Sequence, residues 1–248
     1  MTNVPTLLRR ELNAYFASPL GYMVLMFFLL VMGVIFGVVV RYLNSGPTQF
    51  TAMKILFSMF WLPSLFVIPA ITMRLLAEEK RAGTLEMLMT APVTDFEVVF
   101  AKYLGAVVLY SLMWGLTGFY VFILHHFSGT QTVLDLGPIV SGYIGVLVIS
   151  QFLIAIGVLA SSLTNSQVTA ALISFALLFL ILIVLGMWMT ELFPGGGLEQ
   201  WIRFLSAKEH MDDFQRGIVD VRPLMLYLSG TALALFIATR VVESRKWR

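Results

Sequence analysis

Leu20 to Val40 is an apolar run of 21 residues without one charged side chain. As a helix rising about 1.5 Å per residue, ~20 such residues cross the ~30 Å hydrocarbon core of a bilayer. Runs of the same kind recur along the chain. They predict spanning helices over 20–43, 52–76, 96–127, 138–163, 168–190 and 223–240. The runs lack the residue-by-residue alternation of barrel strands, so the expected fold is an all-α integral membrane protein. Composition agrees, with 59% hydrophobic and only 12% charged residues, where a soluble domain carries roughly 25% charged. Lipid can cover such apolar faces; water cannot. Arg9-Arg10 ahead of the first run superficially resembles a signal peptide. The run is too long for an h-region and no A-x-A site follows it, so it reads as a retained first span. The absence of cysteine excludes disulfides, thiol catalysis and Cys-ligated metal.

Between the spans the chain is patterned. Val4 to Ala17 places Leu8, Leu12, Tyr15 and Phe16 on one helical face, with Arg9, Arg10, Glu11 and Asn13 over much of the remainder, as in a helix lying in the membrane surface. Ser18-Pro19 ends it. Pro63 and Pro69 fall inside the second span and predict a kink or local break. The fourth span is rich in small residues, among them Ser141, Gly142, Gly145, Gly157, Ala160 and Ser161, which permit close helix packing. Ser150 and Gln151 suit interhelical hydrogen bonds or a polar path. Thr164-Asn165-Ser166-Gln167 is a tight turn into the fifth span. Pro194-Gly195-Gly196-Gly197 breaks the helix after it. Ser206-Ala207-Lys208-Glu209 then opens a short helix, with Gly217 as its stop. The loop before the last span is therefore structured.

The one strongly polar stretch between spans runs from Arg74 to Pro92. Five of the 14 acidic residues fall between Glu78 and Glu97. Gly83 interrupts helix there, and Thr84 to Met89 predicts a short transverse helix with Leu85, Leu88 and Met89 on one side and Glu86 towards the other. Thr94-Asp95-Phe96-Glu97 is a capping box that opens the third span. With six spans, both termini share a side. Placing them inside puts ten Lys/Arg inside and six outside, which supports cytoplasmic termini and a cytoplasmic 74–97 stretch.

Much chemistry is missing. No charge sits near the middle of a span, where it costs ~2.5–3.5 kcal/mol even on insertion scales, so an ion-coupled carrier or proton relay is disfavoured. GxxxxGK[ST], GxSxG and HExxH are all absent. His125 and His126 point about 100° apart on a helix and chelate poorly together. No catalytic residue, metal ligand or substrate-binding residue can be named. A transporter without its own energy source must borrow one. A short helix across the cytoplasmic ends of two spans is a means of receiving force from a soluble motor. The alternative is a membrane scaffold or channel subunit with no ATPase partner, for which the same stretch is a solvated loop.

Pro69-Ala70-Ile71-Thr72-Met73-Arg74, the string Glu78-Glu79-Lys80-Arg81-Ala82-Gly83-Thr84-Leu85-Glu86, Pro92 and the Gly105 region resemble the membrane subunits of ABC-2 type ABC transporters. Arg9-Arg10-Glu11-Leu12 with Tyr15-Phe16-Ser18-Pro19, Gly157 with Ser161-Ser162-Leu163, and Ser206, His210, Phe214, Arg216 and Gly217 also fit, so the resemblance covers nearly the whole chain. It looks closest to the gliding-motility-associated permeases. The resemblance implies a single transmembrane domain over 1–248 of ABC-2 (type V exporter-like) architecture. The N-terminal interfacial helix would be 4–17, the coupling region 78–92, and short extracellular re-entrant helices would lie within 191–222. It implies an ATPase-docking surface at Glu78, Glu79, Arg81, Gly83, Thr84, Leu85, Glu86 and Leu88. It implies a permease that binds no cofactor itself and is not itself an enzyme, since ATP and Mg would be held by a pair of partner ABC ATPase subunits. A second permease, identical or related, and membrane lipids complete the expected partners; nucleic acid is not among them. The expected location is the bacterial cytoplasmic (inner) membrane, multi-pass, with both termini cytoplasmic.

Overall fold

The computed structural model describes residues 3–44, 52–83, 93–127, 135–188 and 203–244. The described residues are helical, with no strand among them. In order they form α1 (Val4–Ala17), α2 (Pro19–Asn44), α3 (Ala52–Ser58), α4 (Trp61–Thr72), α5 (Ala77–Ala82), α6 (Asp95–Leu116), α7 (Gly118–Phe127), α8 (Leu136–Leu163) and α9 (Gln167–Phe179). A π-helical stretch (Leu180–Trp188), α10 (Ala207–Phe214) and α11 (Val221–Glu243) follow. Six helical stretches are long and apolar enough to cross a membrane, as the sequence predicts. The helix expected over Thr84–Met89, the Pro194–Gly197 break and the basic residues after Ser244 lie outside the described residues.

The fourth span, α8, is the hub. In its most apolar stretch 67% of residues are buried, against 22% in α2. Helices do not associate inside lipid for lack of water contact; they associate where backbones come close. The small residues of α8 supply that closeness. A Cβ on Gly157 would lie 2.4 Å from Thr72 Oγ1, and one on Gly142 would meet the Phe57 ring at 2.6 Å. Trp114 sits at the centre of the bundle, edge-on to Phe28 at 5.7 Å and stacked on Phe57 at 6.3 Å.

The second span breaks at Met59–Phe60. Pro63 lies four residues after Met59, so its ring opposes the carbonyl that an unbroken helix would place against it. Ser64 Oγ donates to the Phe60 carbonyl at 2.6 Å. Pro69, by contrast, is carried inside α4. Two departures from regular helix have no proline behind them. The third span bends at Thr117, whose hydroxyl donates to Trp114 O at 2.6 Å and lies 3.0 Å from Tyr143 OH. The fifth span widens to π-helix from Leu180.

Outside the spans, α10 is seated against the start of α8. Ser141 Oγ donates to Phe214 O at 2.6 Å. With its amide oriented to satisfy both partners, buried Gln215 donates to Lys54 O at 3.2 Å and accepts from Ser58 N at 3.0 Å. Ser206 caps α10 by accepting from Glu209 N at 3.4 Å, and Gly217 ends the segment at φ +82°. His210 Nδ1 lies 2.8 Å from Tyr227 OH of the last span.

Candidate functional site

The polar stretch after the second span begins as helix. α4 ends at Thr72, a turn follows, and α5 runs to Ala82. Gly83 stops it at φ +69°, a left-handed conformation that glycine adopts without Cβ strain. Glu78 and Glu79 lie in its first turn and Lys80 and Arg81 in its last, the order that a helix dipole favours.

Three other parts of the fold hold α5. Its N-terminus points at the end of the fourth span. Ser161, fully buried, accepts from both Leu76 N and Ala77 N at 3.1 Å. A serine 84 residues away in sequence thus does the work of a local N-cap. Lys80 Nζ donates to the neighbouring carbonyl of Ser162.

The second brace comes from α1. Leu8, Glu11 and Tyr15 of α1 sit over Gly105 of the third span, where a Cβ would lie 3.1 Å from Glu11 Cβ. Tyr15 OH donates to Ile71 O at 2.9 Å, a carbonyl at the end of α4 where the turn leaves carbonyls without helical partners. Burial and the neighbouring Glu11 carboxylate push the Tyr15 phenol up from its ordinary value, so it remains a donor. Arg74 reaches the C-terminal cap of α1, next to Tyr15. Its NH1 donates to Ser18 Oγ at 3.0 Å and its Nε pairs with Glu78 Oε2 at 3.1 Å.

The third brace is an ion cluster. Lys102 of the third span is only 3% exposed. Its ammonium lies 2.9 Å from Glu11 Oε1 and 2.8 Å from Glu79 Oε1, while Arg10 approaches Glu79 at 3.9 Å. One lysine therefore joins α1, α5 and α6 through short charge-assisted hydrogen bonds.

The residues expected to form a docking surface are thus distributed. Glu79 is turned inward to Lys102. Glu78 is about half exposed on Arg74. Arg81 and Gly83 are exposed, and Arg81 edges an open hollow of about 600 Å³ shared with Leu163 to Ser166. Thr84, Leu85, Glu86 and Leu88 lie outside the described residues. Glu11, Lys102, Tyr15 and Ser161 were not singled out as site residues by the sequence. The sequence set Glu11 on the polar side of α1, but it lies three residues after Leu8 and four before Tyr15, and the structure turns it to the packed face against Gly105 and Lys102. Among the described residues no cluster of His, Asp and Glu could hold a metal ion.

The model of the ABC-2 family transporter protein matches residues 46–239, more than three quarters of the chain. The chain belongs to the ABC-2 transporter family. It is a multi-pass membrane permease component of an ABC transporter, and the permease domain is not itself an ATP-binding domain. Membership implies partnership with an ABC ATPase. No curated protein matches the chain.

Proposed function

We propose that this ABC-2 permease couples ATP hydrolysis by a separate ABC ATPase to export or force transmission across a bacterial cytoplasmic membrane, with both termini in the cytoplasm. The ATPase docks on the α5 end of the bundle, through the exposed Glu78, Arg81 and Gly83 and a coupling helix over Thr84–Met89 that adds Leu85, Glu86 and Leu88.

The observation that carries this reading is the bracing of α5. Its inner side is tied to the fourth span through Ser161 and Ser162, to the third through Lys102, and to α1 through Arg74, Glu79 and Ser18. Its outer side is exposed. A push on Glu78 or Arg81 would reach the third and fourth spans and α1 at once, as a motor-driven element requires. In this role Glu79 is a positioning residue that holds α5. A pair of ATPases and a second permease complete the transporter. The overall resemblance to gliding-motility-associated permeases extends this reading to a second permease, identical or related.

The test is a pull-down of the full chain from mildly solubilised native membranes, with ATPase assays on the eluate. A stoichiometric P-loop ATPase is expected, with a second permease. Glu86→Arg is expected to release the ATPase or abolish coupled hydrolysis while the permease stays monodisperse. A chain that elutes alone in several mild detergents, or Glu86→Arg with unchanged coupling, would overturn the assignment in favour of a scaffold or channel subunit.

A further inference from the structure

A cleft of about 730 Å³ lies between the third and last spans, at the end of the bundle that carries the termini. One wall is aromatic: Phe96 and Phe100 stack at 5.5 Å and Tyr103 continues the row at 6.2 Å. The other wall is the stripe of α11 from Leu228 to Phe236, and Gln151 of the fourth span forms the floor. The lining is largely apolar until the mouth, where Arg240 and Glu243 pair at 2.7 Å. The Arg240 guanidinium also lies 5.1 Å over the Phe236 ring.

Two properties of the cleft define what fits it. Its length along α11, from Leu228 to Glu243, is ~22 Å at ~1.5 Å per residue. That equals one leaflet, half of the ~40–45 Å bilayer with its headgroups. Among the described lining residues the charges are one cation and one anion, Arg240 and Glu243, side by side at the mouth. A phospholipid with both a phosphate and an ammonium group complements that pair. The phosphate accepts from Arg240, which has five N–H donors and spends few of them on Glu243, and the ammonium donates to Glu243. An anionic headgroup such as phosphatidylglycerol would bring only neutral hydroxyls to the Glu243 carboxylate, without the charge-assisted bond of an ammonium.

We propose that this cleft is a specific site for a zwitterionic phospholipid of the leaflet on the side of the termini, one acyl chain lying between Phe100 and Ala232 down to Gln151. The site is independent of ATPase docking, because it shares no residue with α5.

The experiment uses native membrane vesicles containing the full chain and a phosphatidylethanolamine probe with a photoactivatable diazirine in its acyl chain. Cross-linked peptides are mapped by mass spectrometry. Labelling is expected on the Phe100–Tyr103 and Gln151 peptides, with competition by unlabelled phosphatidylethanolamine. Ala232→Trp fills the cleft. The indole displaces several methylenes of chain contact, so labelling should fall about tenfold. Leu233→Trp, on the neighbouring face that is 60% exposed, should leave it unchanged and controls for insertion. Arg240→Gln should weaken labelling by the same probe, and a phosphatidylglycerol probe should label the cleft poorly. Labelling spread evenly over the spans, or surviving Ala232→Trp, overturns the site. Equal labelling by the two headgroups overturns its zwitterionic selectivity.

Discussion

Lys102→Met removes the ammonium that bridges Glu11 and Glu79 and keeps roughly its volume. Both carboxylates are largely covered, at 15% and 16% side-chain exposure. Deleting one partner of a buried pair costs ~3–5 kcal/mol, because the remaining charge is uncompensated. Arg10 already lies 3.9 Å from Glu79 and can swing closer, and water reaches the rim, so the lower end, ~3 kcal/mol, applies. For a domain of this size that is a loss of ~6–12 °C in melting temperature. The chain has no cysteine, so thiol-reactive dyes are useless. Intrinsic fluorescence of the five tryptophans in detergent micelles reports unfolding instead. The triple variant Lys102→Met, Glu11→Gln, Glu79→Gln removes the stranded charge and should recover most of the loss. A single variant that melts within about a degree of wild type, or a triple variant as unstable as the single, would refute the reasoning.

Ser161→Ala leaves the Leu76 and Ala77 amides without their acceptor, at a cost of ~1–2 kcal/mol. Hydrogen exchange should accelerate over Leu76–Gly83 and little elsewhere. Gly157→Ala drives a methyl into Thr72 and should cost ~1–3 kcal/mol; adding Thr72→Ala should restore part of it, read in the same melting assay. His210 is held below its ordinary value of 6.5 by burial, opposed by Asp213 and Asp220. The neutral ring is therefore favoured in the fold, and stability present above pH 6.5 is lost as pH falls from there towards the folded value. Melting at pH 5.5 should be lower than at pH 7.5, and His210→Gln should flatten that difference.

The spans were legible because a lipid environment demands long uncharged helices and nothing else explains Leu20 to Val40. The Thr94–Glu97 capping box was legible because cap chemistry is local: both of its hydrogen bonds form, at 3.3 and 3.1 Å. The second box forms only half. Ser206 caps as expected, but Glu209 pairs with Arg203 at 2.9 Å, a competition that spacing does not reveal. The break in the second span followed from Pro63, whereas the bend at Thr117 depends on Tyr143 from another helix. The bracing of α5 was illegible for the same reason. Ser161 reaches it across 84 residues of chain, and Glu11 acts only through Lys102, 91 residues further on, so no local pattern links them.

The second and fifth spans lose regular α-geometry at one level. Leu182 of the π-helical stretch and Ser58 to Trp61 around the second-span break line one small cavity beneath α10. Ser64 Oγ adds to Phe60 O beside the helical bond from Ser64 N, and Ser206 of the α10 cap donates to Gly186 O at 3.2 Å. A rod with an unbroken hydrogen-bond ladder carries a displacement from end to end. These two rods each carry a joint, at matching depth, under a shared plate. On the docking proposed above, movement delivered from the α5 end would be conveyed stiffly as far as that level, and beyond it would become rotation about the two joints against α10.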